Sequence, residues 1–171
     1  MNKIIKFKNL YNNAEEEYDA GNDLCALQLL NNALSLGCTF PQNDIAEAYQ
    51  LRGWIKYCLE DFEKGIEDIN ESIYLNPKDD KSFFLMGTIE FINSNHKDAL
   101  NNFDKAIKLN PNESGYFYSR GESNFNLGHY EEAIKDFDKA INLKPEDSDY
   151  FYARGNSKYF LEQKRRSYKG F

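Results

Sequence analysis

Large apolar side chains recur at a fixed interval along most of the chain. Pro77, Pro111 and Pro145 stand 34 residues apart, and numbering each proline as position 32 of a repeat brings other columns into register. The apolar columns are position 4 (Tyr49, Phe83, Phe117, Phe151), position 24 (Ile69, Phe103, Phe137, Phe171) and position 30 (Leu75, Leu109, Leu143). Self-similarity at this interval indicates a repeat architecture.

Small residues occupy three further columns. These are position 8 (Gly53, Gly87, Gly121, Gly155), position 20 (Gly65, Ala99, Ala133, Ser167) and position 27 (Ser72, Ala106, Ala140). The small and apolar columns of the second half of each repeat follow helical spacing, which predicts an amphipathic helix there. The proline ends this helix, and the first half of the repeat forms another. Such helical hairpins must stack on their neighbours to bury both faces.

This pattern resembles the tetratricopeptide repeat. The match is best over residues 114–147, where the landmark positions hold Phe117, Gly121, Gly128, Tyr130, Ala133, Phe137, Ala140 and Pro145. The other segments are a degenerate copy over 7–40 with Cys38 in place of the proline, an insertion over 41–45, copies over 46–79 and 80–113, and a partial copy over 148–171. The resemblance implies an all-α fold over residues 1–171, a single right-handed α-solenoid (superhelix) of antiparallel helix pairs.

The partial fifth copy departs from the pattern. Ser167 and Phe171 keep positions 20 and 24, which predicts the start of a second helix, but Lys164, Arg165 and Arg166 replace the usual turn. A half repeat leaves apolar residues poorly covered, so we expect either further chain or contact with a partner or another copy. Self-association through this edge is one hypothesis.

Two polar columns change together. Position 7 holds Arg52, Met86, Arg120 and Arg154, and position 23 on the facing helix holds Asp68, Asn102 and Asp136. An unpaired buried guanidinium is costly, so we predict structural ion pairs between the helices of one repeat, bidentate where geometry permits. The predicted pairs are Arg52 with Asp68 and Arg120 with Asp136. Two alternatives are that Arg154 reaches back to Asp136 and that these arginines bind an anionic ligand.

The resemblance implies that the first helices line a concave groove and that positions 2, 5, 9, 12 and 13 point into it. Position 12 is aromatic in every copy, and its alternative interpretation is a core position between repeats. The predicted partner-binding residues are Tyr11, Glu15, Tyr18, Gln50, Trp54, Tyr57, Phe84, Thr88, Phe91, Tyr118, Glu122, Phe125, Tyr152, Asn156 and Tyr159. An exposed aromatic stripe of this kind is typical of a surface that binds another protein.

Acidic side chains outnumber basic ones beside this predicted groove. Asp19, Glu47 and Asp149 flank it, against Lys8 and Lys81, so we expect an apolar ligand with some positive charge. A subclass of the family clamps chaperone C-terminal carboxylates with Lys and Asn at positions 5 and 9. The corresponding pairs here are Tyr11 with Glu15, Gln50 with Trp54 and Phe84 with Thr88, and none fits.

Composition narrows the possible functions. The net charge of −7 over 171 residues repels nucleic-acid phosphates. The spacing of Cys25, Cys38 and Cys58 matches no metal site and favours reduced, structural thiols. His96 and His129 fall in predicted turns, and no catalytic or phosphate-binding motif occurs. We therefore expect no enzyme activity, cofactor or metal. With no signal peptide or membrane segment predicted, we expect a cytoplasmic protein without membrane contact.

The resemblance favours a scaffold or adaptor that binds a peptide segment of another protein in an aromatic-lined concave groove. Two alternatives remain open at this stage. One is a nucleic-acid-associated protein that uses the basic C-terminal residues Lys164, Arg165, Arg166 and Lys169. The other is a non-catalytic regulatory subunit of an enzyme complex.

Overall fold

The computed structural model describes residues 3–37 and 40–169, so the predictions made for Cys38 and Phe171 lie outside the described residues. Within these ranges the only regular elements are α-helices, which confirms the all-α prediction. The helices are α1 (Lys3–Asp19), α2 (Asp23–Leu34), α3 (Gln42–Cys58), α4 (Phe62–Leu75), α5 (Asp80–Ile92), α6 (His96–Leu109), α7 (Ser114–Asn126), α8 (Tyr130–Leu143) and α9 (Ser148–Lys169).

The chain divides after Ser82 into two compact units. In the first unit, α1 packs on α2, α2 on α3 and α3 on α4. A core of small and aliphatic side chains joins α1, α2 and α3 around the buried ring of Phe7. The backbones of α3 and α4 touch at the small columns, because a Cβ built on Gly53 would lie 2.8 Å from the carbonyl oxygen of Gly65.

The second unit contains α6 to α9 and most of α5. Here an aromatic ring fills the space beside the position-8 glycines of α5 and α7. A Cβ built on Gly87 would lie 2.7 Å from the Phe103 ring, and a Cβ built on Gly121 would lie 2.7 Å from the Phe137 ring. Phe103 and Phe137 are each 1% exposed. The glycine column therefore lets the two helices of a hairpin approach around one buried ring.

Each turn between the helices of a hairpin contains one residue with a positive φ, at repeat position 15. These residues are Gly21 (80°), Glu60 (67°), Ser94 (62°) and Gly128 (73°). The residue after each of them precedes the next helix as its N-cap, and these N-caps are Asn22, Asp61, Asn95 and His129. Each turn thus consists of a residue in the left-handed backbone conformation followed by the N-cap residue of the next helix.

The prediction of a second helix starting near Ser167 is wrong, because α9 runs from Ser148 to Lys169 without a break. Glu162 and Gln163 stand where the other hairpins have the turn residue and the N-cap. Leu161 and Glu162 match Leu59 and Glu60 of the α3–α4 turn, but Gln163 stands where that turn has the N-cap Asp61 and, unlike Asp61, is not a preferred N-cap. Nothing local ends the helix, so it continues. None of the described helices is long and apolar enough to cross a membrane.

Candidate functional site

A cavity of about 230 Å³ opens between α7 and α9 in the second unit. Its lining residues are Tyr118, Glu122, Phe125 and Asn126 from α7, Phe137 from α8, and Tyr152, Ala153 and Asn156 from α9. Positions 5, 9 and 12 of α7 lie about one helical turn apart, so their side chains share one face. The structure thus brings five predicted groove residues together: Tyr118, Glu122, Phe125, Tyr152 and Asn156.

Aromatic rings form the floor of this cavity. The Tyr118 ring centroid lies 5.7 Å from that of Phe137 and 5.1 Å from that of Tyr150. Phe125 makes an edge contact with Tyr130 at 5.4 Å. These neighbours fix the floor, whereas Tyr152 at the rim is 73% exposed. The rim ring has most of its area free to contact a bound molecule.

One carboxylate, Glu122, is half-buried in the cavity. Its Oε1 accepts a hydrogen bond from the Tyr118 hydroxyl at 3.1 Å. Burial raises the pKa of Glu122, the Tyr118 hydrogen bond acts in the opposite direction, and the charge of Asp149 adds to the rise. Burial, reinforced by the Glu122 carboxylate, also raises the pKa of Tyr118 far above its usual value. Among the described lining residues none is basic, so a cationic group of a ligand would meet no repulsion there.

The first unit repeats the tyrosine–glutamate pair. In α1 the Tyr11 hydroxyl donates to Glu15 Oε1 at 2.8 Å, and burial raises the pKa of Tyr11. Glu15 also lines a depression of about 630 Å³, together with Asn12, Glu16, Tyr18, Asp19 and Leu51. Tyr18 accepts a hydrogen bond from Trp54 Nε1 at 2.9 Å. This unit therefore presents an acidic surface with Tyr18 in its lining and Tyr11 bound to one of its carboxylates.

The remaining predicted groove residues are engaged with their own neighbours. Tyr57 is only 6% exposed, so its ring belongs to the core and not to an open groove. Gln50 Nε2 donates to Ser82 Oγ at 2.8 Å, and Thr88 Oγ1 donates to the Phe84 carbonyl at 2.9 Å. Phe84 packs on Phe103 and Tyr116, and Phe91 packs edge-on against His96. Tyr159 is 61% exposed and contacts Phe160.

The arginines of position 7 meet the carboxylates of position 23. Arg52 Nε and Nη2 each donate to Asp68 at 2.7 Å, and the same two atoms of Arg120 donate to Asp136. Both carboxylates have a further donor: Lys56 lies 2.8 Å from Asp68, and Asn124 Nδ2 donates to Asp136 at 3.0 Å. These guanidinium groups are therefore held within the fold by bidentate contacts.

Sequence reasoning missed a second partner for each arginine. Its Nη1 donates to a residue at position 25 of the preceding repeat, and the pairs are Arg52 with Asn31 (3.0 Å), Arg120 with Asp104 (2.6 Å) and Arg154 with Asp138 (2.8 Å). Arg154 thus contacts Asp138 and not Asp136, the alternative considered above. The signal was present, because position 25 is Asn or Asp one repeat before each arginine.

The basic residues near the C-terminal end of α9 also have protein partners. Lys164 Nζ donates to the Gly128 carbonyl at 3.0 Å, Arg165 lies 3.4 Å from Glu131, and Arg166 lies 3.1 Å from Glu162. Cys25 and Cys58 are free and exposed, which differs from the structural role expected for them. Within the described residues no group of His, Cys, Asp and Glu side chains could hold a metal ion.

Comparison with known families identifies the repeat. Two family models described as tetratricopeptide repeat match residues 46–79 and 116–147. The chain is therefore a tetratricopeptide repeat protein. The matched ranges coincide with two of the helical hairpins, α3 with α4 and α7 with α8. No curated protein sequence matches the chain significantly.

Several solved structures share the fold of this tetratricopeptide repeat protein. MamA aligns with a TM-score of 0.76 and 17% identity, covering 96% of this chain and 87% of MamA. YrrB, described as a TPR protein with an unusual peptide-binding site, aligns with a TM-score of 0.71 and 22% identity, covering 90% and 76%. The first TPR of Spaghetti (RPAP3), bound to the HSP90 peptide SRMEEVD, aligns with a TM-score of 0.68 and 18% identity, covering 70% and 95%. At these identities the likeness concerns the fold alone.

Proposed function

We propose that this tetratricopeptide repeat protein is a non-catalytic scaffold that binds a peptide segment of another protein in the cavity between α7 and α9. The observation that carries the proposal is the cavity itself, where an aromatic floor surrounds one half-buried carboxylate. The preferred segment has an apolar side chain next to a lysine or arginine.

The size of the cavity suits a side chain better than a small-molecule cofactor. Its volume of about 230 Å³ falls below the roughly 300–1,000 Å³ typical of small-molecule sites. Tyr118 and Phe125 offer ring faces and edges, and aromatic anchors commonly dominate peptide recognition. The apolar side chain of the segment would rest on these rings, under the exposed ring of Tyr152.

The negative charge of the cavity favours a peptide with a positively charged side chain. Glu122 is partly removed from water, and Asp149 adds negative charge nearby. An ammonium or guanidinium group that donates to Glu122 would relieve the cost of keeping this carboxylate ionised. An acidic side chain in the same place would raise that cost. Asn126 and Asn156 at the edge of the cavity can pair with the peptide backbone.

Two of the structural neighbours support the general class of function. YrrB is described as having a peptide-binding site, and the Spaghetti repeat holds the peptide SRMEEVD. The last four residues of that peptide, EEVD, include three acidic side chains. The Glu122 carboxylate makes this cavity a poor match for such an acidic ligand, so we expect a different peptide chemistry here.

Fluorescence anisotropy with two labelled peptide pools tests the proposal. Every peptide has a fixed leucine or phenylalanine, followed by lysine in the basic pool or glutamate in the acidic pool. We expect only the basic pool to bind. Glu122→Gln should weaken that binding at least about fivefold, because a neutral hydrogen bond replaces a charge-assisted one. Tyr152→Ala should also weaken it, since the rim ring is lost.

Glu132→Gln is the matched control, because Glu132 is an exposed carboxylate on α8 that does not line this cavity. This variant should bind the basic pool like the wild type. Equal or tighter binding of the acidic pool would refute the proposed chemistry. If neither Glu122→Gln nor Tyr152→Ala changes the affinity for the basic pool, the peptide binds elsewhere on the protein.

A further inference from the structure

The outer face of α9 is uncovered over two helical turns. Phe151, Gly155 and Tyr159 are spaced four residues apart and therefore lie on one face. Phe151 is 43% exposed and Tyr159 is 61% exposed, and Gly155 between them is exposed as well. Other residues of the same helix, Tyr150 and Ser157, are buried.

The corresponding face of α7 is covered by α8. Phe117, Gly121 and Phe125 are the equivalent residues, and the Phe137 ring of α8 lies so close that a Cβ on Gly121 would meet it at 2.7 Å. Beside Gly87 of α5, the Phe103 ring of α6 occupies the same place. At Gly155 an added Cβ would meet nothing within 4 Å. The glycine of α9 thus leaves a place for a ring that no described residue fills.

Arg154 makes one of the three side-chain hydrogen bonds that Arg52 and Arg120 each make. In Arg52 and Arg120, Nη1 binds the preceding repeat while Nε and Nη2 bind a carboxylate of the helix that covers the glycine. Arg154 Nη1 binds Asp138, but its Nε and Nη2 have no partner among the described residues. Its guanidinium is 5.5 Å from the Phe151 ring centroid, as that of Arg120 is 5.6 Å from the Phe117 ring centroid. The unpaired side of the guanidinium is therefore held in position for a second carboxylate.

We propose that the outer face of α9 binds an amphipathic helix of a separate partner protein. This helix has a small residue, a carboxylate three positions later, an aromatic residue at the next position and a small residue three positions after that. Ala133, Asp136, Phe137 and Ala140 of α8 show this spacing. The aromatic ring would fill the place beside Gly155, and the carboxylate would accept from Nε and Nη2 of Arg154.

A second copy of this chain is the less suitable occupant. Within the described residues, the two position-23 carboxylates are already bound in their own hairpins, Asp68 by Arg52 and Lys56 and Asp136 by Arg120 and Asn124. The Phe137 ring is 1% exposed. A second copy would have to open a hairpin to donate such a helix, whereas a partner with a free amphipathic helix would not.

A peptide copy of α8 is a suitable probe. A labelled peptide with the sequence of Tyr130–Leu143 carries the required spacing, and a lactam bridge between Glu131 and Lys135 keeps it helical, since an isolated helix of this length is marginal in water. Both bridged residues are exposed in the protein, so the bridge leaves the binding face free. Binding to the 171-residue chain is measured by fluorescence anisotropy.

We expect the wild type to bind this peptide. Arg154→Glu should weaken binding at least about tenfold, because like charges then face each other across the contact. The peptide with Asp136→Arg should bind the Arg154→Glu protein to within about threefold of the original pair, since the charges are exchanged. Glu122→Gln should leave the affinity unchanged, which separates this surface from the cavity between α7 and α9.

Gly155→Leu gives a second test that does not depend on charge. It fills the place of the ring and improves helix propensity, so it should abolish binding while the protein stays folded by circular dichroism. The proposal fails if the wild type does not bind, or if binding survives both Arg154→Glu and Gly155→Leu. A wild-type dimer that becomes monomeric on Gly155→Leu in sedimentation velocity would assign the face to a second copy and would also overturn the proposal.

Discussion

Single residues in the hairpins are constrained by buried charge. The Asp136 side chain is 7% exposed, and its carboxylate accepts from Arg120 and Asn124. Such a carboxylate is acceptable only while its donors remain, because an uncompensated buried charge is far more costly than a neutral pair. The repeat over residues 80–113 shows the neutral solution, since it has Met86 and Asn102 at the same two positions.

The first prediction replaces the Arg120–Asp136 ion pair by the neutral Met and Asn pair of the repeat over residues 80–113. Arg120→Met alone should lower the free energy of unfolding by about 3 kcal/mol or more, because it leaves Asp136 without its main partner. The double variant Arg120→Met, Asp136→Asn should recover most of this loss. Urea denaturation followed by circular dichroism measures both values. Equal unfolding free energies for the single and double variants would show that the ion pair is not what constrains these positions.

Glu122 makes peptide binding dependent on pH. Its folded-state pKa is raised by burial, so the carboxylate ionises at a higher pH than an exposed glutamate. The affinity for a basic peptide should therefore be weak at low pH and increase as the pH rises through the raised pKa of Glu122. Glu122→Gln should remove this rise. Anisotropy titrations at several pH values test the sign, and an affinity that falls as Glu122 ionises would contradict it.

Ionisation of Glu122 has the opposite effect on the stability of the free protein. Because the folded-state pKa of Glu122 lies above the unfolded value, its contribution to stability is fully present below the unfolded pKa and is lost as the pH rises through the folded pKa. The same burial that prepares the carboxylate for a cationic ligand thus costs the free protein stability near neutral pH. Binding of a basic segment would offset part of that loss of stability.

At the scale of helices and turns, the reversal at repeat position 15 uses different residues. Gly21 and Gly128 adopt positive φ without strain, whereas Glu60 and Ser94 adopt it at a steric cost. We expect Glu60→Gly and Ser94→Gly each to raise the free energy of unfolding by about 0.5–1 kcal/mol, the relief of strain being partly offset by the entropy of glycine in the unfolded chain. Thermal unfolding checks this, and lower melting temperatures for both variants would refute it.

The glycines of α7 and α9 form a matched pair for a test of helix packing. Gly121→Ala should destabilise by about 1–3 kcal/mol, because its Cβ would meet the Phe137 ring at 2.7 Å. Gly155→Ala should instead stabilise by up to about 1 kcal/mol through helix propensity, because its Cβ meets nothing. Chemical denaturation of the two variants decides, and a similar effect of both substitutions would argue against the difference in packing.

For the whole molecule, the 34-residue interval was sufficient to predict the helices of the hairpins, because one physical requirement, close packing around a small residue, repeats in each copy. The covariation of positions 7 and 23 likewise indicated which side chains would meet. The continuous course of α9 was missed because Ser167 keeps the repeat register, while the turn also depends on a local N-cap residue that Gln163 does not supply. The burial of Tyr57 depends on the side chains that pack around it, and the 34-residue interval does not specify them.

The described structure also limits which predicted groove residues act together. Tyr118, Glu122 and Tyr152 share one cavity in the second unit, and Glu15 and Tyr18 share an acidic depression in the first. Both surfaces combine aromatic rings with carboxylates, and in each a tyrosine hydroxyl donates to the glutamate four residues later. We propose the α7–α9 cavity as the main peptide site because its rings surround the carboxylate from three helices.

Backbone amide chemical-shift mapping locates the bound peptide on the protein residue by residue. The ¹⁵N-labelled protein is titrated with a basic peptide from the bound pool, and each shifted signal is assigned to a residue. If the peptide binds in the α7–α9 cavity, we expect saturable shifts centred on Glu122, Asn126 and Asn156, and their loss in Glu122→Gln. Saturable shifts confined to other helices, or no shifts at peptide concentrations that saturate the anisotropy signal, would contradict the proposed peptide site.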